Sequence, residues 1–212
     1  MKNLSLLFCL LLSSSLIFVG CKKDDNSDPA TNYPTTDEGV EINGVVWATR
    51  NVAAPGTFVF KPEDTGMYYQ WNRKVGWSST DPLQSSNNAK VWDNSIPEGT
   101  EWEQANDPCP KGWRVPTYDE LQSLLNTRGA WKLQNNVVGY PFGEAPNQIF
   151  LPAGSWRYQV DGTLSNSLVL GYYWSNIRSA DQWAWGLYFI HTEARMETAV
   201  RASGRTVRCV KN

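Results

Sequence analysis

Apolar residues in this 212-residue chain fall into one long block at the amino terminus and many short bursts after it. The block runs from Leu4 to Val19, broken only by small serines and Cys9. Lys2 precedes it, and Gly20-Cys21 follows. A basic start, a short apolar stretch and small residues at its end read as a secretory signal over residues 1–20, too short for a membrane-spanning helix. From Lys22 to Glu38 almost no side chain is apolar. Such a stretch cannot bury enough surface to offset its ordering entropy, so residues 21–38 are expected to form a disordered tether.

From residue 39 onward the bursts have the lengths and breaks of an antiparallel protein. Val40 to Trp47, with Asn43-Gly44 in its middle, predicts a hairpin, because Asn-Gly supplies the positive φ angles of a type I′ turn. Gly66 to Trp71 predicts a short strand. Asn72 to Asn106 is polar and rich in Gly, Pro, Ser and Asn, a long irregular stretch of the kind that is functional or disordered. One helix is well marked. Thr117 can cap it, Glu120 completes a capping box, Leu121, Leu124 and Leu125 form its apolar stripe, Pro116 blocks extension backward and Gly129 is the expected stop. Further strands are predicted at Ile149–Leu151, Trp156–Val160 (turning at Asp161-Gly162), Leu168–Ile177, Trp183–Thr192 and Thr206–Val210. Trp183–Ile190 is apolar on both parities and should be a central strand covered on both sides. One helix, antiparallel strands and much loop give an α+β class for a single domain over residues 39–212.

Composition narrows the function. The net charge of −2 argues against nucleic acid, whose binding needs a basic stripe to displace counterions. Once Cys9 leaves with the signal and Cys21 is set aside, Cys109 and Cys209 remain. In an exported chain they most simply form one disulfide. All 11 tryptophans lie between Trp47 and Trp185, so the domain needs a large aromatic core or an aromatic binding surface. Trp47, Trp71, Trp113, Trp174 and Trp185 sit in apolar contexts and are expected in the core. Trp77, Trp92 and Trp102 lie in the polar 72–106 segment. Either they pin that segment to the domain, or they expose a face for stacking on a sugar or a partner protein.

Several segments resemble known families. Phe18-Val19-Gly20-Cys21 looks like a bacterial lipobox, which implies lipidation of Cys21 and a membrane anchor; an ordinary signal with an incidental cysteine is the alternative. The acidic run Asp24-Asp25-Asn26-Ser27-Asp28 resembles the surface-export signal of Bacteroidetes lipoproteins, though a solvated spacer explains it equally well. Gly44 to Val52, Gly66 to Trp71, Asn106 to Thr117 with Glu120-Leu121, Leu151 to Gly154, Tyr173 to Ser175 and Val207 to Lys211 together resemble the Fibrobacter succinogenes major paralogous domain. That family is exported and often lipid-anchored, and no reaction carries over from it. The Trp113-Arg114-Val115-Pro116-Thr117 element and the closing Val-Arg-Cys-Val strand are also similar to C-type-lectin-like and formylglycine-generating-enzyme folds. That second resemblance implies a C-type-lectin-like architecture.

Specific chemistry finds little support in the residues. Glu144-Ala145-Pro146-Asn147 and Trp174-Ser175-Asn176 resemble lectin calcium motifs, but Ala145 splits the first and the second lacks its acid, so no metal is expected. Formylglycine generation needs reactive cysteines, and the two available are assigned to a disulfide. His191 has no nucleophile pattern near it, and a charged loop accounts for Glu101, Glu103 and Asp107 more simply than a glycosidase pair does. No catalytic residue and no cofactor is expected. The sequence points to a lipid-anchored outer-membrane protein facing the exterior, with a non-catalytic recognition or adhesion domain for a glycan or protein. Trp77, Trp92 and Trp102 are its candidate contacts. A structural part of a surface assembly is the alternative, and a hydrolase the third reading.

Overall fold

The Asn43-Gly44 turn forms as its residue types require, with φ of 52° and 77°. It joins β1 (Val40–Ile42) to β2 (Val45–Asn51), with Ile42 opposite Val45. The computed structural model describes residues 32–165 and 167–212. The signal, Cys21 and the first part of the tether lie outside the described residues. After β2 come β3 (Tyr68–Tyr69), β4 (Gly76–Trp77), β5 (Trp113–Arg114) and the helix α1 (Tyr118–Leu125). Then follow β6 (Lys132–Gln134), β7 (Val137–Glu144), β8 (Asn147–Pro152), β9 (Gly171–Ala180), β10 (Trp183–Ile190), β11 (Glu193–Val200) and β12 (Arg208–Lys211). Pairing is antiparallel throughout these strands, in sheets ordered β1-β2-β12-β5, β11-β10-β9, β6-β7-β8 and β3-β4. The class is α+β.

Strand alternation divides the interior in two. In β9, Tyr172 and Trp174 enter one core with Trp71, Trp102, Trp113 and Cys209. Tyr173, between them, enters the other with Leu121, Leu124, Leu187 and Phe189. The same parity sends Ala48 and Cys209 to the first core and Trp47 and Val210 to the second. Each strand therefore separates two apolar layers, which requires near-continuous apolar runs. As expected, β10 is central in its sheet, between β9 and β11; the expected cover on both sides is incomplete, because Trp183 is exposed and Tyr188 only half-buried.

The helix begins where its capping residues place it. The Thr117 hydroxyl accepts from the Glu120 N–H at 3.2 Å, and the Thr117 N–H donates to the Glu120 carboxylate at 2.7 Å. Arg114 grips the same carboxylate through two bonds of 2.8 and 2.7 Å, joining β5 to the helix start. The far end differs from expectation: the cap is Asn126, in right-handed helical geometry. Gly129 serves elsewhere, its N–H donating to the Pro141 carbonyl at 2.8 Å.

Other expectations also need correction. Trp156–Val160 is not a strand; Arg157 makes isolated bridges to Leu164 and Gly204, and the chain turns at Asp161-Gly162. β4, β5, β6, β7 and β11 form where no strand is expected. In β7, despite Gly139, Pro141 and Gly143, Tyr140, Phe142 and their neighbours pair residue for residue with β8. The tether is ordered from Asn32. Pro34 accepts from the Phe58 N–H at 2.7 Å, and Tyr33 packs on Phe60 at 5.2 Å. Asp37, its side chain fully enclosed, accepts from the N–H groups of Gly39 and Thr49 and from Arg50 Nε, each at 2.9 Å. One aspartate among polar residues thus anchors a segment whose composition reads as disordered.

Two buried guanidiniums fasten the layers. Arg208 donates to Asn51 Oδ1 at 2.8 Å, the Ala48 carbonyl at 3.0 Å and the Phe150 carbonyl at 3.0 Å, so it ties β12 to β2 and β8. Arg157 donates to the carbonyls of Ser78, Thr80 and Gly162, holding the 78–81 loop against the 157–162 turn. A buried charge costs several kcal/mol unless its donors are satisfied. Here every guanidinium nitrogen of both residues finds an acceptor.

The Cys109–Cys209 disulfide is present, with Cα atoms 6.0 Å apart and a sequence separation of 100. It fastens the segment before β5 to β12 inside the first core. In the chain-entropy description such a loop is worth about 4–5 kcal/mol. The double variant Cys109→Ala/Cys209→Ala should therefore lose most of that value in a denaturant titration; an unchanged midpoint would remove the disulfide from the stability account.

Asp37 generates a pH prediction. Burial pushes its carboxyl up, but hydrogen bonds from Thr49, Gly39 and Arg50 outweigh burial and hold it below the ordinary 3.8. A depressed folded-state value contributes stability above 3.8 that is lost as the pH falls through the folded value. Protection of the Gly39 and Thr49 amides from hydrogen exchange, relative to their intrinsic rates, should therefore fall selectively below about pH 4. Asp37→Asn should show fast exchange at every pH.

Candidate functional site

All three tryptophans of the 72–106 segment are buried: Trp77 is 3% exposed, and Trp92 and Trp102 are each 8% exposed. Trp92 packs on Trp77 with ring centroids 4.8 Å apart and donates to the Gln159 carbonyl at 3.1 Å. Trp102 sits 6.0 Å from Trp71 and donates to the Asn106 carbonyl at 2.9 Å. Asn72 clamps the segment's two ends. Its Nδ2 donates to the Glu98 carbonyl, and its Oδ1 accepts from the Glu103 N–H, each at 2.8 Å. Stacking on a ligand needs an open ring face, and none of the three has one. Of the two readings open in the sequence, the geometry is that of pins.

The other candidate residues scatter. His191 lies in the exposed turn between β10 and β11, where its carbonyl accepts from Tyr140 Oη at 3.0 Å. Glu144-Ala145-Pro146-Asn147 is the exposed turn between β7 and β8. Trp174 and Ser175 are buried in β9, and Ser175 donates to the Trp185 carbonyl at 2.9 Å. Glu101 and Glu103 are exposed, whereas Asp107 turns inward and accepts from the N–H groups of Cys109 and Val115 at 2.8 and 3.0 Å. Burial raises the Asp107 carboxyl above its ordinary range despite those bonds. Among the described residues, no three His, Cys, Asp or Glu side chains cluster closely enough to hold a metal ion.

One cleft, about 870 Å³, lies beside the disulfide. In its polar lining Asp107 holds backbone N–H groups and Arg114 holds Glu120, whereas Lys74 and Lys111 stand in solvent. A second cleft, about 410 Å³, is lined by Trp156, Tyr158, Tyr172, Trp183, Tyr188 and Arg205, with Arg195 and Glu197 at one side. Tyr158 and Trp183 are each 43% exposed, and Trp156 and Tyr188 are half-buried. The domain therefore keeps an open aromatic surface, but away from the 72–106 tryptophans.

The groove follows from the sequence in two steps. First, Arg157 bridges Gly204 through N–H to carbonyl bonds of 3.0 and 2.9 Å, which sets the extended backbone locally. Because Arg157 points inward, alternation turns Trp156 and Tyr158 to the other side. Second, the cross-strand partners Tyr172, Tyr188 and Arg195 share one face of the β9-β10-β11 sheet. Gly186 on that face leaves room for the Tyr172 ring; a Cβ there would lie 2.5 Å from it. The Tyr172 hydroxyl can then cross to the Glu197 carbonyl, at 2.8 Å.

Arg205 enters the groove from a backbone paired to Tyr69 by bonds of 2.7 and 2.9 Å. Its guanidinium carbon lies 4.9 Å from the centroids of both Trp156 and Tyr172. Burial pushes its pKa down to about 10, so it remains a cation at neutral pH. Arg195 stacks on Tyr188 at 4.5 Å and is paired with Glu193 and Glu197. No family model, curated protein or solved structure matches this chain. The site is therefore argued from its geometry alone. Sequence reading passes over Trp156, Tyr158 and Trp183 because they are spread along segments that read as ordinary strands, and it reads Arg205, with Arg114, Arg201 and Arg208, as a partner for backbone carbonyls and carboxylates rather than an anion site.

The pinning role of the 72–106 tryptophans is testable. Trp92→Ala should lower stability by about 3–5 kcal/mol, the usual cost of removing a buried aromatic. Limited proteolysis should then cut within residues 78–98 under conditions that spare the wild type. A variant with wild-type stability and protease resistance would refute the assignment.

Proposed function

We propose that this chain is a lipid-anchored bacterial surface protein whose domain, C-type-lectin-like in architecture, binds glycan in the groove beside Trp183. One observation carries the reading: an open cleft that gathers Trp156, Tyr158, Tyr172, Trp183 and Tyr188, with Tyr158 and Trp183 each 43% exposed. Exposed indole and phenol faces are costly on a surface unless they are used, and a ring with one apolar face and polar edges suits a sugar, which alternates C–H faces with hydroxyls. Polar groups around the rings supply orientation: the Arg195–Glu197 pair, Gln159 and Arg205. The groove stands on paired backbone, so its rings are positioned before any ligand arrives.

The lipobox-like Phe18-Val19-Gly20-Cys21 supports the anchor and the outer-membrane location, as does the resemblance to an exported family. One helix with antiparallel sheets and long loops is in keeping with the lectin-like architecture. Assembly through the free edge of β11 has less support, because Glu193, Arg195 and Glu197 line that strand with charge, a device that blunts edge pairing.

Binding of the full-length protein to an array of bacterial and plant oligosaccharides tests this reading. Trp183→Ala and Tyr158→Ala should each weaken a detected interaction by about 1–3 kcal/mol and leave the melting temperature nearly unchanged. Wild-type affinity in both variants, or no glycan bound at all, would reject the groove as a sugar site.

A further inference from the structure

Four arginines of the last third of the chain are drawn inside or half inside the domain, and three of them have acceptors. Arg157 and Arg208 are satisfied at every guanidinium nitrogen. Arg201 stacks on Trp71 at 5.1 Å and donates to the carbonyls of Gly99 and Asp181. Arg205 goes further than all three. Arg201 and Arg205 each have a buried Nε without a partner, but among the described residues no protein acceptor takes any of the Arg205 nitrogens. No described carboxylate pairs with it; Glu197, in the same groove, is held by Arg195. The groups around it are Trp156 and the phenols of Tyr68, Tyr158 and Tyr172.

A cation in this setting is expensive. Stacking against aromatic faces returns part of the cost of leaving water, but it uses the face of the guanidinium and leaves the N–H edge unmet. That edge is a rigid fork of parallel donors matched to two oxygens on one planar group. It lines a cleft of about 410 Å³ whose other walls are aromatic rings. A fixed, unmet donor fork beside a sugar-stacking surface has one natural complement, a carboxylate carried by the sugar itself.

We propose that the groove selects saccharides bearing a free carboxylate, such as a uronate or a sialate, and that Arg205 is the residue that reads the acid. This inference rests on the groove being a sugar site and adds the charge of the ligand. Trp183 and Tyr158 supply stacking area common to neutral and acidic sugars. Arg205 supplies the discrimination, because a neutral ligand would leave the fork desolvated and unpaired.

The test is calorimetric titration of the full-length protein with oligogalacturonate, oligoglucuronate and sialyllactose, each beside its carboxyl methyl ester. Wild type should bind at least one acid roughly tenfold or more tighter than its ester, as expected for a charge-assisted bond. Arg205→Met keeps the stem and removes the fork; it should abolish that preference, so that acid and ester bind equally. Arg205→Lys keeps the charge but not the bidentate geometry, and should retain only part of the preference. Should the Met variant fail to fold, added salt must weaken wild-type binding to the acid and spare the ester. Equal binding of acid and ester by wild type would overturn this inference and leave the sugar site standing. A preference that survives in Arg205→Met would also overturn it. Failure of every saccharide, ester included, would remove both.

Discussion

Arg208 is the constraint around which the domain closes. A guanidinium that is fully enclosed cannot be left without acceptors, and this one takes its three from Ala48, Asn51 and Phe150. All three precede it in the chain, Phe150 by 58 positions, Asn51 by 157 and Ala48 by 160. The sheet order β1-β2-β12-β5 then follows, with the closing strand in the middle of the sheet. Cys209, the next residue, fixes the same strand to Cys109 through the first core, and Val210 fills the second. Three consecutive side chains thus join the sheet and both apolar layers. Such a fold must bring its two chain ends together before its core is complete, a demand for long-range contacts that slows folding.

The same economy of alternation makes the groove. Arg157 points inward to hold the 78–81 loop and the 157–162 turn, so its neighbours Trp156 and Tyr158 point outward. Tyr172 belongs to the first core yet reaches the groove, because Gly186 lets its ring lie flat across the sheet. Core and site therefore share residues. A groove built on such shared residues is stiff, and stiffness is what a binding surface needs if ordering costs are not to consume its affinity.

The long 72–106 segment shows a different use of aromatic residues. It has little secondary structure of its own, and in its place it has Trp92 on Trp77, Trp102 on Trp71, and Asn72 bonded across to Glu98 and Glu103. A loop this long would be expensive to order by backbone pairing to one neighbour. Buried rings, with the indole N–H groups of Trp92 and Trp102 bonded to carbonyls, order it from within the domain, and Asp37 does the same for the polar strap from Asn32.

The sequence by itself determined what depends on neighbours a few positions apart. The Asn43-Gly44 hairpin, the capping box at Thr117, the central position of Trp183–Ile190 and the α+β class all rest on local geometry and period. The Cys109–Cys209 pairing was also legible, since exclusion left only two cysteines. Tertiary structure decided the rest. Whether Trp77, Trp92 and Trp102 are pins or a binding surface depends on what lies above each ring, and no local pattern encodes that. The strand status of Val137–Glu144, despite Pro141 and two glycines, depends on β8 being there to pair with it. The candidate site shows the limit most clearly. Trp156, Trp183 and Arg205 have no shared spacing, and what makes Arg205 unusual is the lack of an acceptor within reach. An unmet donor is a property of three-dimensional surroundings, so only the folded chain could reveal it.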